Sequence, residues 1–347
     1  MSAPASPPPT LSVVMPMYNA EGHLDLVVPP LARALRDGRL LEVLVVDDGG
    51  SDGGPARCRA AGFTVIPSGG RLGPGACRNQ GALAARGDLL LFIDADVVMH
   101  DDVPEKVQAW FARRADVVAL FGAYDERPHA PGVVSRYRNL LHHHTHASHA
   151  GEASTFWAGC GAVRRAAFLA VGGFDALHYS RPSIEDIELG YRLRRAGGAI
   201  VLAPEVQGTH LKRWTLRSMV HTDIFCRALP WGRLLQHPEL AGAVLNVSNA
   251  ERLKALIGGA FYATLALALL HRPFLGSACG LLLVAALVSA PFYALLWRAA
   301  GPRTALAGLL LHQFYFVYGA ATYVWCVLEK RLGLAPRPPR GKLPPLA

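Results

Sequence analysis

Two carboxylates one residue apart, Asp94 and Asp96, close an apolar run of strand length, Asp88-Leu-Leu-Leu-Phe-Ile-Asp-Ala-Asp96. Along a strand, residues two apart share a face, so both side chains are expected to lean into one crevice as strand gives way to loop. Hard oxygen donors placed there suit Mg2+ or Mn2+ carrying a ligand's phosphates. Asp-x-Asp is also common in turns, where an acid caps the backbone, and the pair alone does not separate these readings. Further acids, Asp47 and Asp48, end a second apolar run, Leu41-Glu-Val-Leu-Val-Val-Asp-Asp48, ahead of a glycine turn. A third set, Glu185, Asp186 and Glu188, opens a helix whose interior reads Leu189-Gly-Tyr-Arg-Leu-Arg-Arg. Acids in a first helical turn serve the cap and the dipole, which accounts for one or two of these three.

The elements that would position these acids alternate regularly. Leu11-Ser-Val-Val-Met-Pro-Met-Tyr-Asn-Ala-Glu21 reads as a short strand stopped by Pro16 and followed by a polar loop. After the second strand comes Gly69-Gly-Arg-Leu-Gly-Pro-Gly-Ala-Cys-Arg-Asn-Gln80, whose glycines and Pro74 introduce a helix to about Arg86. Strands alternating with helices, each strand ending in an acidic or glycine-rich loop, predict an α/β fold with a mostly parallel sheet. In such a sheet ligands sit at the carboxyl ends of the strands.

In order and spacing these segments, with Gly172-Gly-Phe-Asp175 and Ile184-Glu-Asp-Ile-Glu-Leu-Gly-Tyr-Arg-Leu-Arg-Arg-Ala-Gly197, resemble the family 2 glycosyltransferases. That family has the GT-A nucleotide-diphospho-sugar fold, and the likeness runs over roughly residues 10–235. The resemblance implies that Asp96 is a direct metal ligand, and that Asp94 contacts the ribose or shares the ion. It gives Asp47 and Asp48 to the base and ribose, with capping of the following turn as the alternative for Asp47. Pro16, Tyr18, Asn19 and Glu21 match the first nucleotide loop, with a core position as the alternative for Tyr18. Arg78, near a helix start, would favour a bound anion, or is a surface arginine. By resemblance Asp186, paired with Glu185, takes the proton from the acceptor hydroxyl. His210 is a candidate third metal ligand. Arg213 and Trp214 match an Arg-Trp signature beside the diphosphate and acceptor, without the full Gln-x-x-Arg-Trp form of polymerising members. Gly173 and Asp175 belong to the acceptor loop, Asp175 either binding donor-sugar hydroxyls or capping a turn. Gly159, Cys160 and Gly161 are expected to keep the backbone thin where a sugar approaches.

A run of histidines, His142, His143, His144, His146 and His149, tempts a metal reading, since His142 and His146 share a helical face. With Tyr137, Leu140 and Leu141 beside it, an amphipathic helix near a membrane or acceptor groove is the preferred expectation.

The chain has 347 residues, of which 51% are hydrophobic. The apolar excess lies after residue 252, in stretches at about 255–271, 276–297 and 305–328; a membrane-spanning helix needs about 20 such residues. Trp297, Tyr315, Tyr323 and Trp325 fit interfacial anchoring. Expected boundaries are a disordered tail at 1–10, a GT-A domain at 11–235, and an amphipathic connector at 236–254. A membrane region of about three helices at 255–330 and a basic, proline-rich tail at 331–347 complete the chain. The opening residues lack a basic start and an apolar core, so no signal peptide is expected and the catalytic domain is placed in the cytoplasm, at the cell inner membrane. Three spans would put Lys330, Arg331, Arg337, Arg340 and Lys342 outside, against the positive-inside tendency, unless 255–271 lies in the interface or re-enters.

The net charge of +9 is carried by arginine, with Lys106, Lys212, Lys254, Lys330 and Lys342 the lysines. No basic run interleaved with aromatics occurs, which argues against nucleic acid; an anionic leaflet and phosphorylated substrates are the expected partners. Six cysteines without CxxC spacing argue against structural disulfides and a zinc site. The expected activity is inverting transfer of one sugar from a nucleoside diphosphate donor, UDP ahead of GDP, to a membrane lipid. Its rivals are a polyprenyl phosphate acceptor, a catalytically silent nucleotide-binding scaffold, and a nucleotidyltransferase.

Overall fold

The computed structural model describes residues 7–236 and 249–334. Most of the expected connector and tails therefore lies outside the described residues. Among those described, one compact unit takes residues 7–125 and 145–211, and a second takes 126–144 and 212–334. Residues 126–144 and 212–235, expected within the GT-A domain, thus group with the carboxyl-terminal helices.

The first unit runs β1 (Leu11–Met17), α1 (Leu24–Arg36), β2 (Glu42–Asp47), α2 (Gly54–Ala60), β3 (Thr64–Pro67), α3 (Pro74–Ala84), β4 (Leu89–Ile93), β5 (Val97–Met99), α4 (Val103–Arg113) and β6 (Val117–Tyr124). The chain then passes through α5 (Val133–Ala147), inside which the division between units falls. It returns as β7 (Gly151–Ala153), β8 (Cys160–Arg164), α6 (Arg165–Ala170), α7 (Glu185–Arg195) and β9 (Ala199–His210).

The strands form one sheet in the order β3-β2-β1-β4-β8-β6-β9-β5, with β7 also on β9. The first four are parallel, joined by crossovers that carry α1, α2 and α3. Beyond β4 the sheet is mixed: β8 runs against both β4 and β6, β5 and β7 run against β9, and only β6 and β9 are parallel. The expectation of a mostly parallel sheet holds for the nucleotide-side half alone. Every residue of β4 is buried, as an apolar strand covered on both faces must be. Phe92 on this strand packs edge-on against Phe174 at 5.3 Å and tilted against Phe168 at 5.4 Å. No two of the six cysteines are bonded.

In the second unit α5 is followed by α8 (Leu216–His221), a π-helical turn (Thr222–Ala228), α9 (Leu229–Leu234), α10 (Asn249–Ala268), α11 (Phe274–Val288), α12 (Ala290–Ala300) and α13 (Pro302–Arg331). Tyr137, Leu140, Trp214, Met219, Phe292 and Leu296 form its core. The stretch 276–297, expected as one span, is two helices bent by 81° around Ser289. Pro291 explains the break, because it has no N–H for the preceding turn and its ring clashes with the carbonyl four residues back. Among the described residues no single helix is long and apolar enough to cross a membrane, although the bent α11–α12 pair together reaches that length and composition. The 30-residue α13 carries Thr304, His312, Gln313, Thr322 and Glu329 on buried positions, which lowers its apolarity.

Candidate active site

The carboxyl ends of β1 and β2 set the first part of the site. Met17 pairs with Asp47 in register, so the loops that follow the two strands start side by side. Asn19 holds a left-handed backbone (φ 48°), and its Oδ1 accepts from the Ser51 N–H at 2.8 Å. Glu21 accepts from the Gly53 N–H at 3.0 Å, while its own N–H donates to Asp52 at 2.8 Å. Asp47 accepts from the Gly50 N–H at 3.0 Å, so it caps its turn. Asp48 is buried and accepts from the backbone N–H groups of Leu72 (2.6 Å) and Gly73 (3.0 Å), binding the end of β2 to the glycine-rich loop. Half-buried Pro16, expected to stop the strand, lies within β1, which continues in register to Met17; Tyr18 is exposed, with the Arg71 guanidinium 4.1 Å over its ring.

The Asp94–Asp96 segment is a turn rather than a strand end, closed by the Val97 N–H donating to the Asp94 carbonyl at 2.9 Å. Strand alternation therefore does not govern these two acids, and their carboxylates take different partners. Asp94 Oδ1 accepts from Arg78 at 2.6 Å. Asp96 Oδ2 lies 3.5 Å from His210 Nε2. Register explains the second pairing, since Val97 faces His210 across the antiparallel β5–β9 ladder and Leu211 donates its N–H to the Asp96 carbonyl at 2.8 Å.

Arg78 is the hub of the site. Expected near an anion at a helix start, it is buried within α3, and its two terminal nitrogens reach Asp94 at 2.6 Å and Glu185 at 3.2 Å. Burial disfavours its charge, but the Asp94 and Glu185 carboxylates outweigh this and raise its pKa. Glu185 is buried and also accepts from the Ser183 N–H, just ahead of α7, at 2.8 Å. The next residue, Asp186, accepts from the Ala158 N–H at 3.2 Å and from the Ile187 N–H at 2.8 Å. Burial, and then the Glu185 carboxylate beside it, push the Asp186 carboxyl up to about 7. The loop ahead of β8 links the two acids, because Gly159 accepts the Asp94 N–H at 3.3 Å while Ala158 donates to Asp186.

Other expected residues play different parts. Gly173 (φ 65°) follows Gly172 (φ 83°), conformations that L side chains rarely adopt, and they bring Phe174 onto Phe92. Asn79 fixes that loop by a reciprocal pair of hydrogen bonds to the Phe174 backbone, both 2.8 Å. Asp175 accepts from the His178 N–H at 2.9 Å, a turn cap. The space beside Gly159 and Gly161 is taken by Trp157 and Phe156: a Cβ on Gly159 would come 2.4 Å from the Trp157 ring. These glycines admit an aromatic side chain of the protein itself, where a sugar was expected. Trp214, expected beside the diphosphate and acceptor, is buried in the second unit, its N–H donating to Ser135 at 2.8 Å and its indole N–H to Asn139 at 3.3 Å; Arg213 is exposed. In the histidine run His146 packs edge-on to Trp157 at 5.0 Å, and His149 reaches the Thr145 carbonyl at 2.7 Å.

A divalent cation fits this site through two side chains. Donors in adjacent positions about 2.1 Å from such an ion stand about 3 Å apart, close to the 3.5 Å between Asp96 and His210. Among the described residues no group of three His, Cys, Asp or Glu side chains is placed to hold a metal. The pair therefore suits an ion that completes its shell with water and phosphate oxygens, as Mg2+ commonly does. Sequence reasoning did not find the bridging of Asp94 and Glu185 by Arg78, nor Tyr124, whose ring stacks on His210 at 4.2 Å and 7°. It also missed buried Asp125, which accepts from Thr209 and lies 3.1 Å from His100 Nε2.

The chain is 29% identical to validoxylamine A glucosyltransferase of Streptomyces hygroscopicus subsp. limoneus over 279 residues, 69% of this chain and 60% of that protein. It thus spans less than two thirds of that relative's length. Over 96 residues, 26% of this chain and 29% of the relative, it is 31% identical to glucosyl-3-phosphoglycerate synthase of Mycobacterium tuberculosis. Its fold is similar to that of the mannosyltransferase PcManGT from Pyrobaculum calidifontis, with a TM-score of 0.52 at 19% identity, covering 92% of this chain and 88% of that one. Residues 12–172 match the family described as glycosyl transferase family 2.

Proposed function

We propose that the protein transfers one sugar from a nucleoside diphosphate donor to an acceptor hydroxyl with inversion of the anomeric centre. The observation that carries this reading is the convergence of Asp94 and Glu185 on the buried guanidinium of Arg78, with Asp186 next to it in the chain. Arg78 pairs with both Asp94 and Glu185, while burial and then the Glu185 carboxylate raise the affinity of Asp186 for a proton. Asp186 accepts the proton of the attacking hydroxyl, a contribution of about 10²–10⁴-fold in rate. Its backbone partners, Ala158 and Ile187, hold the carboxylate in place while Glu185 stays engaged with Arg78 and Ser183. Asp47, Asp48, Asn19 and Glu21 shape the nucleotide loops, Asp94 faces the ribose, and Asp96 with His210 would hold Mg2+ or Mn2+. When bound, that ion supplies Lewis-acid neutralisation of the departing diphosphate.

For the donor, UDP stands ahead of GDP on frequency in the family. The PcManGT neighbour was solved with GDP-Man and Mn2+, so both nucleotides belong in the assay. For the acceptor we favour a hydroxylated lipid at a membrane, with the catalytic domain on the cytoplasmic side of the cell inner membrane. The support is the second unit's surface, where Leu256, Leu269, Leu270, Leu283, Leu287, Trp297 and Trp325 are at least half exposed. An apolar surface of this extent marks a membrane or protein contact. A basic Asp186 favours a hydroxyl over a polyprenyl phosphate, which is already anionic. A second reading, a small soluble acceptor, is favoured by the names of the relatives, a validoxylamine A glucosyltransferase and a glucosyl-3-phosphoglycerate synthase.

The test is transfer from a panel of UDP- and GDP-sugars, with Mn2+, to a hydroxylated lipid, a polyprenyl phosphate and a soluble polyol. Transfer to the first, together with flotation of the protein on anionic vesicles, is the expected result. Strict dependence on the phosphate or the polyol replaces the acceptor. Absence of both transfer and donor hydrolysis with every sugar restores the silent scaffold.

A further inference from the structure

The histidine run and the aromatic residues around β6 have no part in the reaction described above, yet three of them, His146, Trp157 and Tyr124, form a continuous chain of ring contacts that ends at His210. His146 donates from Nδ1 to the Gly122 carbonyl at 2.9 Å, which fixes its ring on β6. His146 meets Trp157 edge-on, with centroids 5.0 Å apart and planes at 76°. Trp157 in turn meets Tyr124 at 4.8 Å and 90°. Tyr124 then lies flat on His210, 4.2 Å between centroids and 7° between planes. Gly159 makes room for this arrangement, because any side chain there would strike the Trp157 ring. All four rings belong to the first unit.

A backbone register can place His210 opposite Val97, but it does not fix rotation of the imidazole about its side-chain bonds. A coplanar ring at 4.2 Å does, since turning the imidazole out of plane would drive it into the tyrosine. We propose that Tyr124 is a positioning residue: backed by Trp157 and His146, it holds the His210 ring so that Nε2 faces Asp96 and prepares the two-residue seat for a divalent cation. This rests on the metal reading given above. The energetic reason is that a histidine already held in its binding orientation loses less rotational freedom on coordination. Partners that orient a metal-binding histidine are worth about 10–100-fold in metal affinity.

The experiment measures Mn2+ binding to the full chain by electron paramagnetic resonance, with Mn2+ alone and with Mn2+ plus UDP. Tyr124→Leu should raise the Mn2+ dissociation constant about tenfold, whereas Tyr124→Phe, which keeps the stacked ring, should stay within about twofold. In the unaltered protein the carbon-bound ring protons of His210 should be shifted upfield by the ring current of Tyr124, a measurement that needs no variant to fold. An unshifted His210 spectrum, or an unchanged Mn2+ affinity in Tyr124→Leu while His210→Ala weakens it, overturns the positioning role and leaves the metal reading standing. If His210→Ala itself binds Mn2+ normally, the metal reading falls and the role of Tyr124 falls with it.

Discussion

Arg78 and Asp94 are joined across 2.6 Å, with the arginine side chain only 6% exposed. A buried charge pair of this kind is costly to break from one side, because the remaining charges lose their partner without regaining water. Arg78→Gln would leave Asp94 and Glu185 facing one another. The expected loss is about 3–5 kcal/mol of unfolding free energy, read from urea midpoints, with Arg78→Lys intermediate because an ammonium lacks the guanidinium's fork. An Arg78→Gln protein as stable as the parent would show that the guanidinium does not organise the two acids.

The raised carboxyl of Asp186 fixes the sign of two pH effects. As a base it must be ionised, so kcat/KM should climb about tenfold per pH unit towards about 7 and level off above it. For stability the effect is opposite. A carboxyl whose value in the native state exceeds its unfolded value of 3.8 binds its proton more tightly when folded. Stability is then fullest in acid and falls as the pH rises from about 4 to about 7. Asp186→Asn should lose transfer by about 10²–10⁴-fold, keep donor binding, and flatten that fall in melting temperature. Near-parental turnover in this variant would assign the base elsewhere.

Gly190 lies in α7 against the Thr155–Phe156 backbone, and a Cβ there would come 2.4 Å from the Phe156 nitrogen. Backbone cannot swing aside as a side chain does. Gly190→Ala should therefore cost about 1–3 kcal/mol and displace α7, so that kcat falls more than the KM for donor changes. Unaltered thermal stability would mean that α7 has slack at this contact.

Chelation of divalent ions should stop transfer, and Mn2+ should restore it. Asp96→Asn, which keeps shape but removes the charge, should raise the Mn2+ concentration needed for half-maximal rate, whereas Asp175→Asn should leave it unchanged because Asp175 caps a turn. Equal metal dependence in the parent and Asp96→Asn would remove Asp96 from the cation seat.

Much of the nucleotide half was legible from the chain alone, for physical reasons. Strands β1, β2 and β4 are apolar runs bounded by prolines, glycines and acids, and local pattern suffices to mark them. The Asp47 cap followed from its place before a glycine turn. Partnerships across long sequence separations were not legible: nothing local to Arg78 tells which acids will reach it, and Trp214 reads alike whether it faces a cleft or a core. The run at 276–297 misled because composition reports apolarity but not direction, and Pro291 inside it redirects the chain. The histidine run reads as part of an amphipathic helix, but pattern alone does not tell that His146 packs edge-on to Trp157.

Because β8 opposes its neighbours, the chain enters the sheet at the same rim where β1, β2 and β4 leave it. The segment ahead of it, between β7 and β8, touches both Asp94 and Asp186 through its backbone. It is tethered at both ends, by β7 on β9 and by β8 on β4 and β6, so a change in its length is felt by both acids.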